Sequence, residues 1–500
     1  MYAAHEVAEL DTEGSLPHER GTIRPKPKHC QTKRVRVAAT ETMTPHRAMV
    51  RPVAALLVIP YRWLSSTGMQ SAQGMIGLLS NQCDADRGAV PLTGFLFSLF
   101  LLWLPLCAWA QAPVAISKNE LNTRLLLQIG YERQTGQDDF VNTRSRIVEF
   151  ERQGESLRMV EEPRDSSSSP HLLATIPIRA QTSSSLLVDF NTGFDKIFKE
   201  EDRTGEDYYG RTDREDYSFF RLFQRKILAV SRHGPILVLT QQALTEDGKP
   251  VLVFYYLSSY RPNPDFKPFE IENLDHFGFY ETYPDRRSGR TVLYAMKFAT
   301  AKPIVFALSS EIPAQYREAM RDGVRYWNKA FGFPLLQVTD APEGVTAPSP
   351  RYNVIQWEAH RAYASTSHIQ GDPLTGEILH AHVFISSGTV DQGNLTEQNN
   401  RLRYIVAHEV GHALGLRHNF AKGPASTVMN YFGFDRAVRI GRDVILSGDE
   451  ALDYDRQVVR YVYLGKPLDV ATLPPFCTDY QAGCSPFSSK ISMGSSDGRN

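Results

Sequence analysis

The sequence predicts an α+β protein in which a β-rich half precedes a twisted mixed sheet built against one long helix. Three observations lead there. From residue 111 to about 295, apolar residues fall in short strand-like runs separated by turn residues. After Pro313 the spacing becomes helical, with Tyr316, Met320, Val324, Trp327 and Phe331 on one stripe. Further on, His408-Glu409-Val410-Gly411-His412 sets two histidines four residues apart, a spacing that shares a face only in a helix. With 500 residues there is chain for two or three domains, and a net charge of -1 gives no argument for nucleic acid or an anionic membrane as partner.

In chain order, residues 1–90 read as a leader outside any packed domain, and translation is expected to start near Met75. The basic run from Arg20 to Arg36 contains no acidic residue, the signature of a solvated segment. Residues 91–110 carry an apolar core that closes on Ala108-Trp109-Ala110 before Gln111. That is the pattern of a secretory signal peptide cut after Ala110; left uncleaved, the segment would be a membrane anchor.

Residues 111–295 are expected to form a companion or pro-domain. Its strands include Leu125 to Tyr131 and a hairpin of Ile147–Phe150 with Leu157–Val160. A second hairpin joins Ile236–Thr240 to Val251–Leu257 around Asp247-Gly248. The charged stretch Lys199 to Glu215 reads as an exposed loop. Residues 296–466 are expected to hold strands at Ile304–Leu308, Val354–Trp357 and Ile378–Ile385, a helix from about Glu397 to Leu414, and a last helix after Ser447 with Tyr454, Val458, Tyr461 and Val462 buried. In the tail, 467–500, Cys477 and Cys484 are placed to close a short loop if the chain is exported.

The chemistry sits in the long helix. His408 and His412 can present two imidazole nitrogens to one metal ion, with Glu409 beside them as a base. Gly415 can take a positive φ, which stops the helix and lets His418 approach the same ion. Three protein ligands leave a fourth position for water, the arrangement of a catalytic zinc rather than a closed structural one.

The run HEVGHALGLRH followed by Ser426-Thr427-Val428-Met429-Asn430-Tyr431 resembles the metzincin zinc peptidases. Within them it is most similar to a bacterial branch with matrix-metalloproteinase-like catalytic domains. Three further pieces carry that likeness: Lys302-Pro303-Ile304-Val305-Phe306, the stretch Gly323 to Phe331, and Asp372 to Val383. The resemblance implies Zn2+ on His408, His412 and His418, Glu409 as general base, Met429 as an apolar floor, and Tyr431 as a hydroxyl near the metal or the reacting oxygen. It also implies a protein or peptide substrate added as a strand along an edge, for which Leu379 to Val383 is the candidate.

His360, His368, His380 and His382 raise the question of a second metal, since His368, Asp372 and His382 loosely resemble a structural zinc set. No Cys lies between Cys107 and Cys477, so a pro-domain would have to block the metal with another group, such as Asp275. The expected location is periplasmic or secreted. Two other functions fit the same residues: a zinc-binding adhesion or inhibitory module without activity, and a zinc hydrolase of a non-peptide amide. The sequence does not indicate an oligomeric state.

Overall fold

The computed structural model describes residues 113–478, apart from 134–138, 164–168, 199–218, 272–277, 283, 360–364, 422–425, 470 and 474–475. The leader, the apolar segment 92–110, Asp275, His360, Cys484 and the charged stretch Lys199 to Glu215 lie outside the described residues. Cys477 is disulfide-bonded, its partner being among the residues not described. Among the described residues no helix is long and apolar enough to cross a membrane.

The first half contributes β1 (Val114–Ser117), β2 (Leu125–Arg133), β3 (Asp139–Asn142), β4 (Arg146–Gln153), β5 (Ser156–Glu161), β6 (His171–Gln181), β7 (Ser185–Val188), β8 (Lys196–Phe198), β9 (Phe219–Arg221), β10 (Phe223–His233), β11 (Ile236–Leu244) and β12 (Pro250–Ser259). Nine of them follow the order β1-β7-β6-β5-β4-β2-β12-β11-β10 in one sheet, with β3 joined to β2; β8 and β9 pair separately. Both expected hairpins are present, β4 with β5 and β11 with β12, each antiparallel. Alternate residues of β11 and the start of β12 are buried, which puts Leu237, Leu239, Val251 and Val253 on the core face. This core also encloses a charged pair, Arg146 with Glu161, in which both side chains are only 2% exposed.

The second half has its own core, and its buried cluster reaches back past residue 296 to Ile271, Phe279, Leu293 and Ala295. Its sheet contains β13 (Ile304–Leu308), β14 (Leu336–Asp340), β15 (Asn353–Glu358), β16 (Thr366–Gly371) and β17 (Ile378–Ser386) in the order β14-β13-β15-β17-β16. All neighbours are parallel except β16, which runs antiparallel to β17. The expected substrate edge therefore needs correction. Leu379 to Val383 lies in β17, which is paired along this stretch with β16 and from His382 onward also with β15, so it is an inner strand and not the edge of the sheet. The outer strand is β16, which is mostly polar and only half-buried and so leaves no apolar alternation in the sequence.

Against this sheet pack α1 (Arg317–Phe331) and α2 (Leu395–Ala413). Helix α2 starts in a capping box: Asn394 accepts from the Thr396 and Glu397 amides, while Glu397 accepts from the Asn394 amide. The Trp327 indole on α1 donates to the Ala407 carbonyl at 2.8 Å, which fixes the two helices in register. Then come α3 (Phe434–Ile440), a π-helical stretch at Gly441–Leu446, and α4 (Asp453–Leu464). Lys329 from α1 donates to the Val444, Ile445 and Gly448 carbonyls, which the π segment leaves without helical partners. On α4, Tyr454, Val458 and Val462 are buried as expected, whereas Tyr463 is buried and Tyr461 only partly so.

Gly441 marks the closest approach of the π segment to α2. A Cβ there would stand 1.7 Å from the Asn400 carbonyl oxygen, and the interior of a long helix cannot yield that far. Gly441→Ala should therefore lose about 2 kcal/mol net, overpacking of about 3 kcal/mol exceeding the gain of about 1 kcal/mol in helix propensity. The expected readout is a lower urea midpoint at unchanged slope; an unchanged midpoint would show that α2 and the π segment are not rigidly packed.

Candidate metal centre

Helix α2 delivers His408 and His412 to one face and carries Glu409 beside them, with the three residues no more than 6% exposed. Its last turn is closed by Leu414, and Gly415 follows at φ +96. A residue with a Cβ is strained at that angle, and here the Cβ would also stand 2.0 Å from the Met296 carbonyl oxygen. The chain thus reverses where the sequence reading placed the turn, and His418 comes back toward the helix.

The three histidines meet through Nε2. His412 Nε2 lies 3.2 Å from His408 Nε2 and 3.1 Å from His418 Nε2. Tetrahedral zinc with bonds of about 2.0–2.1 Å sets neighbouring nitrogens about 3.3 Å apart, which both separations from His412 match, and all three donor atoms lie within 4.8 Å of one another, so the set can hold the ion. Two of the rings are oriented by main chain: His408 Nδ1 faces the Val428 carbonyl at 2.7 Å and His412 Nδ1 the Leu416 carbonyl at 2.8 Å. A carbonyl can only accept, so Nδ1 carries the proton and Nε2 offers its lone pair inward. Burial, then the neighbouring His418 and His408, holds His412 well below its ordinary pKa and keeps it in the neutral form a metal ligand needs. Among the described residues these three form the one histidine, cysteine or carboxylate group close enough to hold an ion.

The residues raised for a second metal do not converge in this way. His368 and His382 face each other across β16 and β17, but His382 Nε2 accepts from the Ser349 amide at 2.9 Å. Asp372 is turned away, accepting from the Tyr260 hydroxyl at 3.0 Å and the Leu374 amide at 2.8 Å.

Beneath the histidines, Met429 is fully buried against Gly411, where a Cβ would stand 2.2 Å from its sulfur. Tyr431 is 47% exposed and lies over the imidazoles, its ring centre 4.5 Å from that of His418 and 5.5 Å from that of His408. This puts Tyr431 on the open side of the site and Met429 on the closed side.

The turn carrying Met429 is held by a residue that the sequence reading passed over. Asp455, fully buried on α4, accepts from Thr427 Oγ1 at 2.5 Å, the Val428 amide at 2.9 Å and the Tyr326 hydroxyl at 2.6 Å. Val428 in turn supplies the carbonyl for His408, so the acid reaches the metal ligand through one residue. The signal available was an acid inside the buried stripe of α4, between Tyr454 and Val458.

Burial pushes the Asp455 carboxyl up to about 6 from 3.8, against the pull of its three hydrogen bonds. A raised carboxyl pKa means that the folded chain holds the proton more tightly than the unfolded one. The resulting stabilisation is complete below about pH 4 and is lost as pH rises through about 6, about 3 kcal/mol in all. Asp455→Asn can keep all three contacts, with the Thr427 hydroxyl accepting from the new amide. It should remove that slope from the difference in unfolding free energy measured between pH 4 and 7, and identical slopes in the two proteins would refute the assignment.

No curated protein matches the chain. Among solved structures, "Odorant Binding Protein OBP1" is similar at 10% identity over 30% of this chain and 79% of that one, but at a TM-score of 0.15 the likeness carries no argument. Residues 392–463 match the family described as Met-zincin, which spans α2, the three histidines, the Met429 turn and α4, and this segment of the chain is metzincin-like.

Proposed function

We propose that the protein is an exported zinc-dependent endopeptidase of the bacterial matrix-metalloproteinase-like branch. The observation that carries the proposal is the convergence of three imidazoles, His412 Nε2 lying 3.1–3.2 Å from the Nε2 atoms of the other two, with Glu409 next to the first ligand on the same helix. Zinc held by His408, His412 and His418 would supply Lewis acidity, polarising a scissile carbonyl and making water acidic near neutral pH. Glu409 then accepts a proton from the attacking water and passes it to the leaving amine. The Tyr431 hydroxyl donates to the carbonyl oxygen as charge develops on it. An extended substrate pairs along β16, the outer strand, and the branch assignment rests on the motifs at 302–306, 323–331 and 372–383.

Export is supported by the apolar segment at 92–110 with its Ala-Trp-Ala ending and by the disulfide at Cys477, since such bonds persist in oxidising compartments. An inactive zinc module would have no need of Glu409. A non-peptide amide hydrolase would use the same residues, and a substrate screen separates it from a peptidase.

The mature protein should bind about one zinc and cleave unfolded proteins in a chelator-sensitive way. Glu409→Ala should keep the zinc and lose about 10²–10⁴-fold in kcat/KM; full activity would end the mechanism. Tyr431→Phe should cost about 2–4 kcal/mol in transition-state stabilisation, seen in kcat with KM little changed. An unchanged kcat at equal zinc content would leave that ring as pocket wall.

A further inference from the structure

His408 and His412 are placed by a rigid helix, but His418 lies on irregular chain beyond it, so something else must hold it. The structure shows what does. The Tyr280 amide donates to the Gly415 carbonyl at 2.7 Å and the Arg417 amide to the Gly278 carbonyl at 3.0 Å, with Phe279 and Leu416 opposed in an antiparallel bridge. On its other side this short strand is backed by Met296, whose amide donates to the Tyr280 carbonyl at 2.7 Å. The turn between the second and third histidines is thus one strand of a small ladder.

A side-chain clamp locks the ladder. Arg417 Nη2 lies 2.8 Å from both Glu281 oxygens, and Arg417 Nε donates to the Phe279 carbonyl at 3.0 Å. The guanidinium also sits 4.9 Å from the centre of the Tyr280 ring. The side chains are 13% and 3% exposed, so this forked pair is shielded from water. Arg417 immediately precedes His418, and Glu281 lies far upstream, before the sheet and both long helices of the second half.

We propose that Glu281 and Arg417, with the strand 278–282, are positioning residues for the third zinc ligand, so that the metal centre begins at Gly278 rather than at α2. The proposal rests on reading His408, His412 and His418 as a zinc site. It follows that a maturation cut freeing the second half must leave the chain from Gly278 onward in place. Outer groups that orient a ligand typically change metal affinity about 10–100-fold, and this is the size of effect expected.

The test uses the full chain and zinc alone, with affinity read by competition against a chromophoric chelator and ligand geometry by the visible absorption of the cobalt-substituted protein. Glu281→Gln should weaken zinc binding about 10–100-fold and alter the cobalt spectrum. The charge-swapped double variant Glu281→Arg with Arg417→Glu should recover part of both. Glu161→Gln breaks the buried pair with Arg146 in the other half; it should lower the melting temperature and leave zinc affinity and spectrum unchanged. If Glu281→Gln does not fold, Arg417→Lys keeps the charge, loses the fork, and should show the same weakening. Glu281→Gln or Arg417→Lys with parental zinc affinity and cobalt spectrum, whatever the melting temperature, would overturn the proposal. A parent chain that binds no zinc, or binds it equally well after His418→Ala, would instead overturn the zinc site on which it rests.

Discussion

Three imidazole Nε2 atoms brought to one point are the constraint that the rest of the second half serves. The two fixed lone pairs, on His408 and His412 at 3.2 Å, repel one another unless a cation or a proton lies between them. The arrangement is held because the rings have little freedom to turn. Carbonyls of Val428 and Leu416 fix two tautomers, and each of those carbonyls belongs to a segment anchored elsewhere. Val428 is tied by its amide to Asp455 on α4, and Leu416 is opposed to Phe279. Metal affinity in such a site is limited by the stiffness of these outer contacts as much as by the ligands themselves.

The two anchors differ in kind. Asp455 is one carboxylate gathering three donors in a dry core, a strong but pH-sensitive tie, because the same burial that strengthens its hydrogen bonds raises the cost of its charge. The strand 278–282 is mainly backbone, and the Glu281–Arg417 fork adds direction to it. Helix α2 carries the ligands that both anchors serve, and Trp327 on α1 donates to its Ala407 carbonyl, so the helix itself is braced by its neighbour.

What could be read from the sequence was what is local. Histidines at a four-residue spacing, a glycine at the helix end and Asp-Gly in a hairpin act through the conformation of a few neighbouring residues, and each is found as read. The contacts between distant segments were not legible. Strand β16 is polar on a half-exposed edge, so it carries no apolar period, and the hydrophobic run of β17 drew the substrate edge one strand inward. The strand 278–282 pairs through amides and carbonyls, which every residue has. Asp455 could have been noticed as an acid in an apolar stripe, but its partners Thr427 and Tyr326 belong to other elements and only the fold brings them together.

The same distinction bears on how the two halves are joined. The buried cluster of the first half ends at Leu257 and that of the second begins at Ile271, leaving a short passage that belongs to neither. Polar side-chain contacts run from it or across it: Tyr260 to Asp372, Asn263 to Glu377 at 2.7 Å, Gln128 with His380 at 3.0 Å, and Arg287 with Glu162 at 2.9 Å. Asp372 and Glu377 lie in the hairpin that ends the outer strand β16, so this passage grips the rim along which a substrate would pair. Polar contacts of this kind can part without opening either core. The ladder from Gly278 to Met296 cannot, because Phe279, Leu293 and Ala295 are buried in the second core. On these contacts the second core takes over the chain between Asn263 and Phe269, after the residues that hold the rim and before those that hold the metal ligand.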